Sequence, residues 1–376
     1  MRLLSKITSL CCLLFISQLL VSQSVETVEA YNKGVAAAKE KDHKSAIQHY
    51  SSAIAIDPLY AQSYYSRGIS KLQLKDLKAA AVDFKKCLKL DPDNAKAHYY
   101  AGYCLMNMER NEDAIKSFSR ALKSDPSLSK VYYYRAKIQM QDENYDRAIA
   151  DFQDAIAKDG ADEKIYYQLG VCYLKTGEAK LANQSFGLAI KEDNNYKPAI
   201  TEKMKLEYKA SAYDKSIMLA EQLLEQEASN EKGLYYKAMS LLKSKQLEEA
   251  YVAFDNFVAA YPENTSALKN KANISLRKKD YSASVADHTA LIALDTDYKN
   301  YYNRALSYMQ LEQWNEALVD LSHVIKQEPE YAEAFYNRSN VQLQLKKTDE
   351  ACADMRMAGK LGYENAISYI VTLCGG

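Results

Sequence analysis

AKAHYYAGYCLMNMERNEDAIKSFSRALKSDPSL, residues Ala95–Leu128, is the stretch that decides the fold, because its landmark residues recur along the chain at one interval. Gly34, Gly68 and Gly102 are 34 residues apart and Gly170 lies 68 further on. Pro58, Pro92 and Pro126 follow the same step, Pro262 comes 136 residues later, and Pro329 is 67 beyond that. A unit of this length cannot bury its apolar surface alone, so stacked copies share a continuous core and the whole array counts as one domain.

Within the stretch, apolar spacing separates two helices. His98, Gly102 and Leu105 (i, i+4, i+7) mark one helix face, and Ala114, Phe118 and Ala121 mark the face of a second helix packed on it. Gly102 and Ala114 are small because two helix backbones approach closely only where no bulky side chain separates them. Phe118 fills the wider space beside that contact. Asp125 and Pro126 end the second helix, since proline lacks the N–H that the helical ladder needs and disfavours helical geometry in the residue before it.

An aromatic or large residue at position 4, Gly or Ala at 8, Ala at 20, an aromatic at 24, Ala at 27 and Pro at 32 form a pattern that resembles the tetratricopeptide repeat family. Ten units follow it, beginning at Thr27, Ala61, Ala95, Ser129, Glu163, Lys197, Glu231, Thr265, Tyr298 and Ala332. The resemblance implies an all-α fold: an α-solenoid, wound as a right-handed superhelix, with the first helix of each pair on the concave side. Residues 23–365 form the array. Residues 366–376 form a C-terminal capping helix and tail, in which Ala366, Ile367, Ile370 and Leu373 are spaced to cover the last apolar face.

Two units depart from the pattern. The sixth, Lys197 to Asn230, has Met204 where glycine belongs, Ser216 for alanine and Ala220 for the aromatic, so large and small residues change places. The eighth, Thr265 to Asp297, is one residue short and carries Ser284 and His288 at positions 20 and 24.

Residues 1–22 break the periodicity. Arg2 and Lys6 precede an apolar run from Ile7 to Val21 that ends at small residues, which reads as a secretory signal peptide cleaved near Ser22. The product is expected to be exported, to a bacterial periplasm in the first reading, with a secretory-pathway lumen or the extracellular space as alternatives. Membrane contact is expected only through a partner or an uncleaved signal.

The 49 basic residues are balanced by 49 acidic ones, so the chain lacks the overall electrostatic footprint of a nucleic-acid binder. It holds no GxSxG, HExxH, phosphate-cradling glycine loop or paired CxxC, and its five histidines are scattered, so no enzyme, cofactor or metal reading follows. An exported protein can oxidise its thiols. Cys352 and Cys374, on the last regular helix and at the end of the capping segment, are either a disulfide or two free thiols. Cys87, Cys104 and Cys172 occupy packing positions.

Tyrosine is abundant, at 31 residues. Position 5, which faces the concave groove in the resembled family, holds Tyr31, Tyr65, Tyr99, Tyr133, Tyr167, Tyr235, Tyr302 and Tyr336. A tyrosine ring gives contact area at low entropic cost and ends in a hydroxyl, which suits recognition, and it also suits packing between neighbouring repeats. Position 2 adds Lys96, Lys130, Lys164, Lys232 and Lys299, which serve either a carboxylate-bearing partner or a solvated face. The carboxylate clamp of chaperone-binding family members is matched at Lys269, Asn273 and Asn303, but Glu333 and Asn337 stand where that clamp needs Lys and Arg. The reading is a non-enzymatic scaffold that holds protein or peptide partners in a Tyr/Lys-lined groove. The alternatives are a secretory-pathway chaperone cofactor binding unfolded chains, although neither a J-domain nor a retention signal follows the repeats, and a regulatory subunit of an enzyme complex.

Overall fold

The computed structural model describes residues 25–159 and 162–374; the expected signal peptide lies outside them. Every regular element among these residues is a helix. The chain divides between Asn194 and Asn195 into two compact units, each an α-solenoid of helix pairs.

In the N-terminal unit the first helix of each pair, helix A, covers residues 25–39, Ala61–Gln73, Ala95–Asn107, Ser129–Gln141 and Glu163–Lys175. Helix B covers His43–Ile56, Leu77–Leu90, Asn111–Ser124, Tyr145–Asp159 and Ala179–Glu192. In the C-terminal unit helix A covers Lys197–Lys209, Glu231–Lys243, Thr265–Arg277, Tyr298–Gln310 and Ala332–Gln344. Its helices B cover Tyr213–Gln226, Leu247–Ala260, Tyr281–Ile292, Trp314–Gln327 and Thr348–Lys360, and a last helix runs over Glu364–Leu373.

The small-against-large contact inside each pair has a measurable cause. A methyl group added to Gly34, Gly68, Gly102 or Gly170 would lie 2.6 to 2.8 Å from the ring of Tyr50, Phe84, Phe118 or Phe186 respectively. Phe84, Phe118, Phe152 and Phe186 are fully buried. The A-to-B turn places its position-15 residue in left-handed geometry at every repeat, for example Lys75 at φ 64° and Glu109 at φ 60°, and only Gly177 supplies a glycine there. The left-handed residue ends helix A and turns the chain back along it.

In the sixth repeat Met204, Ser216 and Ala220 are all fully buried, so the exchange of large and small residues lies within the core. The Ser240 hydroxyl donates to Ser216 Oγ at 3.1 Å, which satisfies the polar atom where alanine is usual. In the eighth repeat Ser284 Oγ and Ser307 Oγ lie 2.7 Å apart, and His288 Nδ1 lies 2.9 Å from the Ser284 carbonyl. Helix B of that repeat spans 12 residues rather than 14.

The last helix packs Ala366 into a cluster with Phe335, Met355 and Ala358. Ile367, expected on the same face, is instead 56% exposed. Consecutive helical residues are separated by about 100°, so Ala366 and Ile367 cannot both point into one cluster, and Tyr363 and Leu361 complete it. The side chains of Ile370 and Leu373 lie outside what is described.

Candidate protein-binding site

All eight position-5 tyrosines are half-buried on helices A. Between the second and fourth repeats these rings join into a ladder, and its continuity comes from position 6. Tyr65 packs 6.1 Å from Tyr100 of the next repeat, Tyr100 lies 4.6 Å from Tyr99, Tyr99 lies 6.1 Å from Tyr134, and Tyr134 lies 5.3 Å from Tyr133. Phe84 and Phe118 stack under Tyr100 and Tyr134 with interplanar angles of 17°. The ladder therefore rests on the buried aromatics of the repeat core, and its rings hold neighbouring repeats together while leaving edges in solvent.

Helix A of the third repeat sets the geometry. Asn94 caps it by accepting from the Ala97 N–H at 2.9 Å, and Tyr99 and Tyr103, one turn apart, then point the same way. Tyr103 meets the edge of Tyr134 at 5.3 Å. Between them lies a hollow of about 490 Å³, lined by Tyr99, Tyr100, Tyr103 and Tyr134 with Leu72, Leu77, Gln73, Asn107 and Lys75. Its volume falls within the range of small-ligand or single-side-chain pockets. Burial, followed by the neighbouring tyrosines, pushes the Tyr99 phenol well above its ordinary pKa, and burial does the same to Tyr133 and Tyr134. These hydroxyls are protonated at neutral pH, and those of Tyr99 and Tyr134 share a hydrogen bond within the ladder.

The cation in the hollow is Lys75, at the A-to-B turn, which the sequence reading did not single out. Lys96, Lys130, Lys164, Lys232 and Lys299 are exposed at helix starts and do not line it. Lys164 sits 3.8 Å from Glu163, and Lys299 lies over the ring of its neighbour Tyr298. Position 6 was also missed, although the Tyr-Tyr doublets at 99–100, 133–134 and 235–236 signal it.

In the C-terminal unit Tyr235, Tyr236 and Tyr208 form a shorter chain with spacings of 5.1 and 5.3 Å, and Tyr336 packs 4.8 Å from Tyr363. Tyr31, in the first repeat, pairs its hydroxyl with Ser66 at 3.2 Å, and Tyr167 packs on Phe186 at 5.7 Å. Lys269 is exposed, with Asn273 and Asn303 half-buried. The far half of the clamp is already closed by the chain itself. Tyr331 and Tyr302 donate to Glu333 Oε2 at 3.0 and 3.4 Å, and Asn337 donates to the Tyr302 hydroxyl at 2.8 Å. Burial and the Glu333 charge push the Tyr302 phenol up to about 12.

A further set of residues, sixteen apart and unremarked in the sequence, joins the helices of several repeats. Arg at position 7 grips Asp at position 23 through two N–H groups and reaches a hydroxyl at position 25 of the preceding repeat. Arg135 binds Asp151 at 2.8 and 2.7 Å and Ser119 at 3.1 Å. Arg67, Arg304 and Arg338 repeat this with Asp83, Asp320 and Asp354.

Cys352 and Cys374 are joined by a disulfide that ties the last helix to the tenth repeat. Cys87, Cys104 and Cys172 are buried free thiols, and burial pushes them up to about 11, 11 and 12, which leaves them unreactive at neutral pH. Among the described residues no group of acidic, histidine and cysteine side chains is arranged to hold a metal ion, and no helix is long and apolar enough to cross a membrane.

Tetratricopeptide repeat profiles match residues 30–58, 71–138, 139–204, 232–264 and 302–360. The chain belongs to the tetratricopeptide repeat family. Over 170 residues it is 25% identical to a DnaJ homolog subfamily C member 7 homolog of Dictyostelium discoideum, covering 41% of this chain and 32% of that protein. Over 94 residues it is 33% identical to human serine/threonine-protein phosphatase 5, covering 25% of this chain and 19% of the phosphatase. The matched segments thus span a third or less of these relatives. The C-terminal part of a tetratricopeptide repeat-containing protein from Cytophaga hutchinsonii superposes with a TM-score of 0.54 at 18% identity, over 64% of this chain and 98% of that one. That likeness concerns the fold alone.

Proposed function

We propose that this chain is an exported, non-enzymatic scaffold that holds a protein or peptide partner against the tyrosine-lined face of its helices A, with the hollow around Tyr99, Tyr103 and Tyr134 as the primary contact. The observation that carries the reading is that hollow: four tyrosine rings and one lysine converge on a space that the chain itself leaves open. Rigid rings with protonated hydroxyls, beside an amine, match an extended segment that offers backbone carbonyls and a carboxylate. The family supports protein binding in general, and the apolar, cation-flanked N-terminus supports export. The partner chemistry and the compartment are this proposal's own.

Photoreactive residues placed at Tyr103 and Tyr133 in the native host test it, followed by titration of the captured partner against Tyr99→Ala and Tyr103→Ala variants. Capture from these positions and at least a tenfold loss of affinity in the variants are expected, since centrally packed aromatic contacts carry about 2 kcal/mol or more each. Capture only from a control position such as Lys326 would overturn the reading, and retention of the protein in the cytoplasmic fraction would overturn export. A second reading, a chaperone cofactor for unfolded chains, draws on the J-protein relative. It predicts that the purified chain keeps an aggregating substrate soluble without preference for sequence.

A further inference from the structure

The Arg–Asp pair that joins helices A and B is absent from the third repeat. Position 7 there is Ala101 and position 23 is Ser117, and the position-25 residue of the preceding repeat is Lys85 in place of a hydroxyl. In repeats two, four, nine and ten the guanidinium at position 7 fills the space between successive helices B. In the fifth repeat Leu169 occupies position 7, so the third is the repeat that combines a small residue there with a small one at 23. The consequence is a cleft of about 1610 Å³ between helices Leu77–Leu90 and Asn111–Ser124, with Ala101 and Ser117 among its lining. It shares no lining residue with the tyrosine hollow.

Its chemistry is divided. The floor is apolar, formed by Ala81, Leu88, Ala101, Leu105 and Met108. The rim is basic, formed by Lys78, Lys85, Lys89, Lys116, Arg120 and Lys123, all exposed and none held in an ion pair among the described residues. Against these six stand Asp93 and Asp113, and Asp113 is already bound to Arg110. Like charges crowded around an apolar trough repel one another, and a ligand that brings carboxylates relieves that repulsion while covering the floor. The cleft is larger than the usual small-molecule pocket of about 300–1,000 Å³, which favours a segment of polypeptide. No Phe, Tyr or Trp lines it, and its one imidazole, His98, is buried and held to the Pro92 carbonyl at 2.9 Å, so it lacks the exposed stacking platform that single-stranded nucleic acid uses. A recessed floor also suits a helix better than a flat membrane surface.

We propose that this cleft is a second docking site, independent of the tyrosine hollow, for an acidic amphipathic helix of a partner protein. The partner lays its apolar stripe on Ala101, Leu105 and Met108 and its carboxylates on the rim lysines.

The probe is a fluorescent peptide of about 18 residues, ~27 Å long as a helix, with leucines at i, i+3, i+4 spacing and glutamates elsewhere. It is titrated by fluorescence anisotropy onto the full chain, beside a scrambled peptide of equal charge, a poly-dT oligonucleotide and phosphatidylserine vesicles. Saturable binding of the amphipathic peptide in preference to the others is expected. Lys85→Glu with Lys116→Glu, both on the exposed rim, should weaken it about tenfold, while Lys326→Glu, an exposed charge reversal in the C-terminal unit, leaves it unchanged. Lys85→Ser/Ala101→Arg/Ser117→Asp rebuilds the Arg–Asp–Ser set of the fourth repeat and should close the cleft and abolish binding. The rim variants decide the matter even where the rebuilt set fails to fold. Equal affinity for the scrambled peptide, stronger binding of the oligonucleotide or vesicles, no binding at concentrations up to about 1 mM, or indifference to the rim variants would each overturn the proposal.

Discussion

Arg135→Ala tests the energetic reading of the position-7/position-23 pairs most directly. The substitution leaves the Asp151 side chain, 5% exposed, without its two charge-assisted hydrogen bonds of 2.7 and 2.8 Å. An uncompensated buried carboxylate costs about 3–5 kcal/mol, and the 20% exposure of the arginine side chain places this pair at the low end, about 3 kcal/mol. Arg135→Ala with Asp151→Ser reproduces the Ala101/Ser117 arrangement that the third repeat already tolerates. The unpaired charge is then gone and the remaining loss is the packing of the arginine stem, about 1 kcal/mol. The double variant should therefore be about 2 kcal/mol more stable than Arg135→Ala alone, so the two substitutions are not additive. Urea unfolding followed by circular dichroism gives the totals, and amide exchange in Ser129–Gln141 and Tyr145–Asp159 shows that the loss is local, as expected where each repeat contacts its neighbours. If Arg135→Ala costs less than about 1 kcal/mol, or the double variant costs the sum of the singles, the pair is an ordinary surface contact and the reasoning fails.

Gly102→Ala puts a methyl group 2.7 Å from the Phe118 ring; overpacking outweighs the gain in helix propensity by about 1 kcal/mol, and thermal melts should show the loss shrinking in a Phe118→Leu background. Cys374→Ser opens the 22-residue loop closed by the disulfide and should lower the stability of the C-terminal unit by about 3 kcal/mol, read as earlier exchange of Glu364–Leu373 relative to the other helices. His288 is buried, and desolvation holds its pKa below the ordinary value. The unfolded chain therefore binds this proton at a higher pH than the folded one, so stability falls as pH drops through about 6.5 and is unaffected above it. His288→Leu should flatten that fall in urea midpoints measured across the range.

The period and the helix pairs were legible because each depends on residues within one repeat, seen ten times over, and the contact of glycine with an aromatic ring because it recurs in four of them. Met204 with Ser216 and Ala220 was legible for the same reason, as an exchange of sizes within one unit. The tyrosines at position 5 were readable as a column, whereas the hollow was not. It needs Tyr134 from one repeat, Tyr99 from the preceding one and Lys75 from the turn before that, and residues up to 59 apart in sequence carry no mutual signal until the helices stack.

What the sequence determined by itself was the repeating unit, because small and large residues at fixed helical spacing admit one close packing of two helices. Tertiary structure alone decided where the molecule leaves room. Burial paired Arg135 with Asp151 across sixteen residues, because a carboxylate removed from water needs a donor. The missing pair at Ala101 and Ser117 opened a cleft, because a side chain that is absent has no pattern to read and its effect appears only when neighbouring helices stand on either side of it.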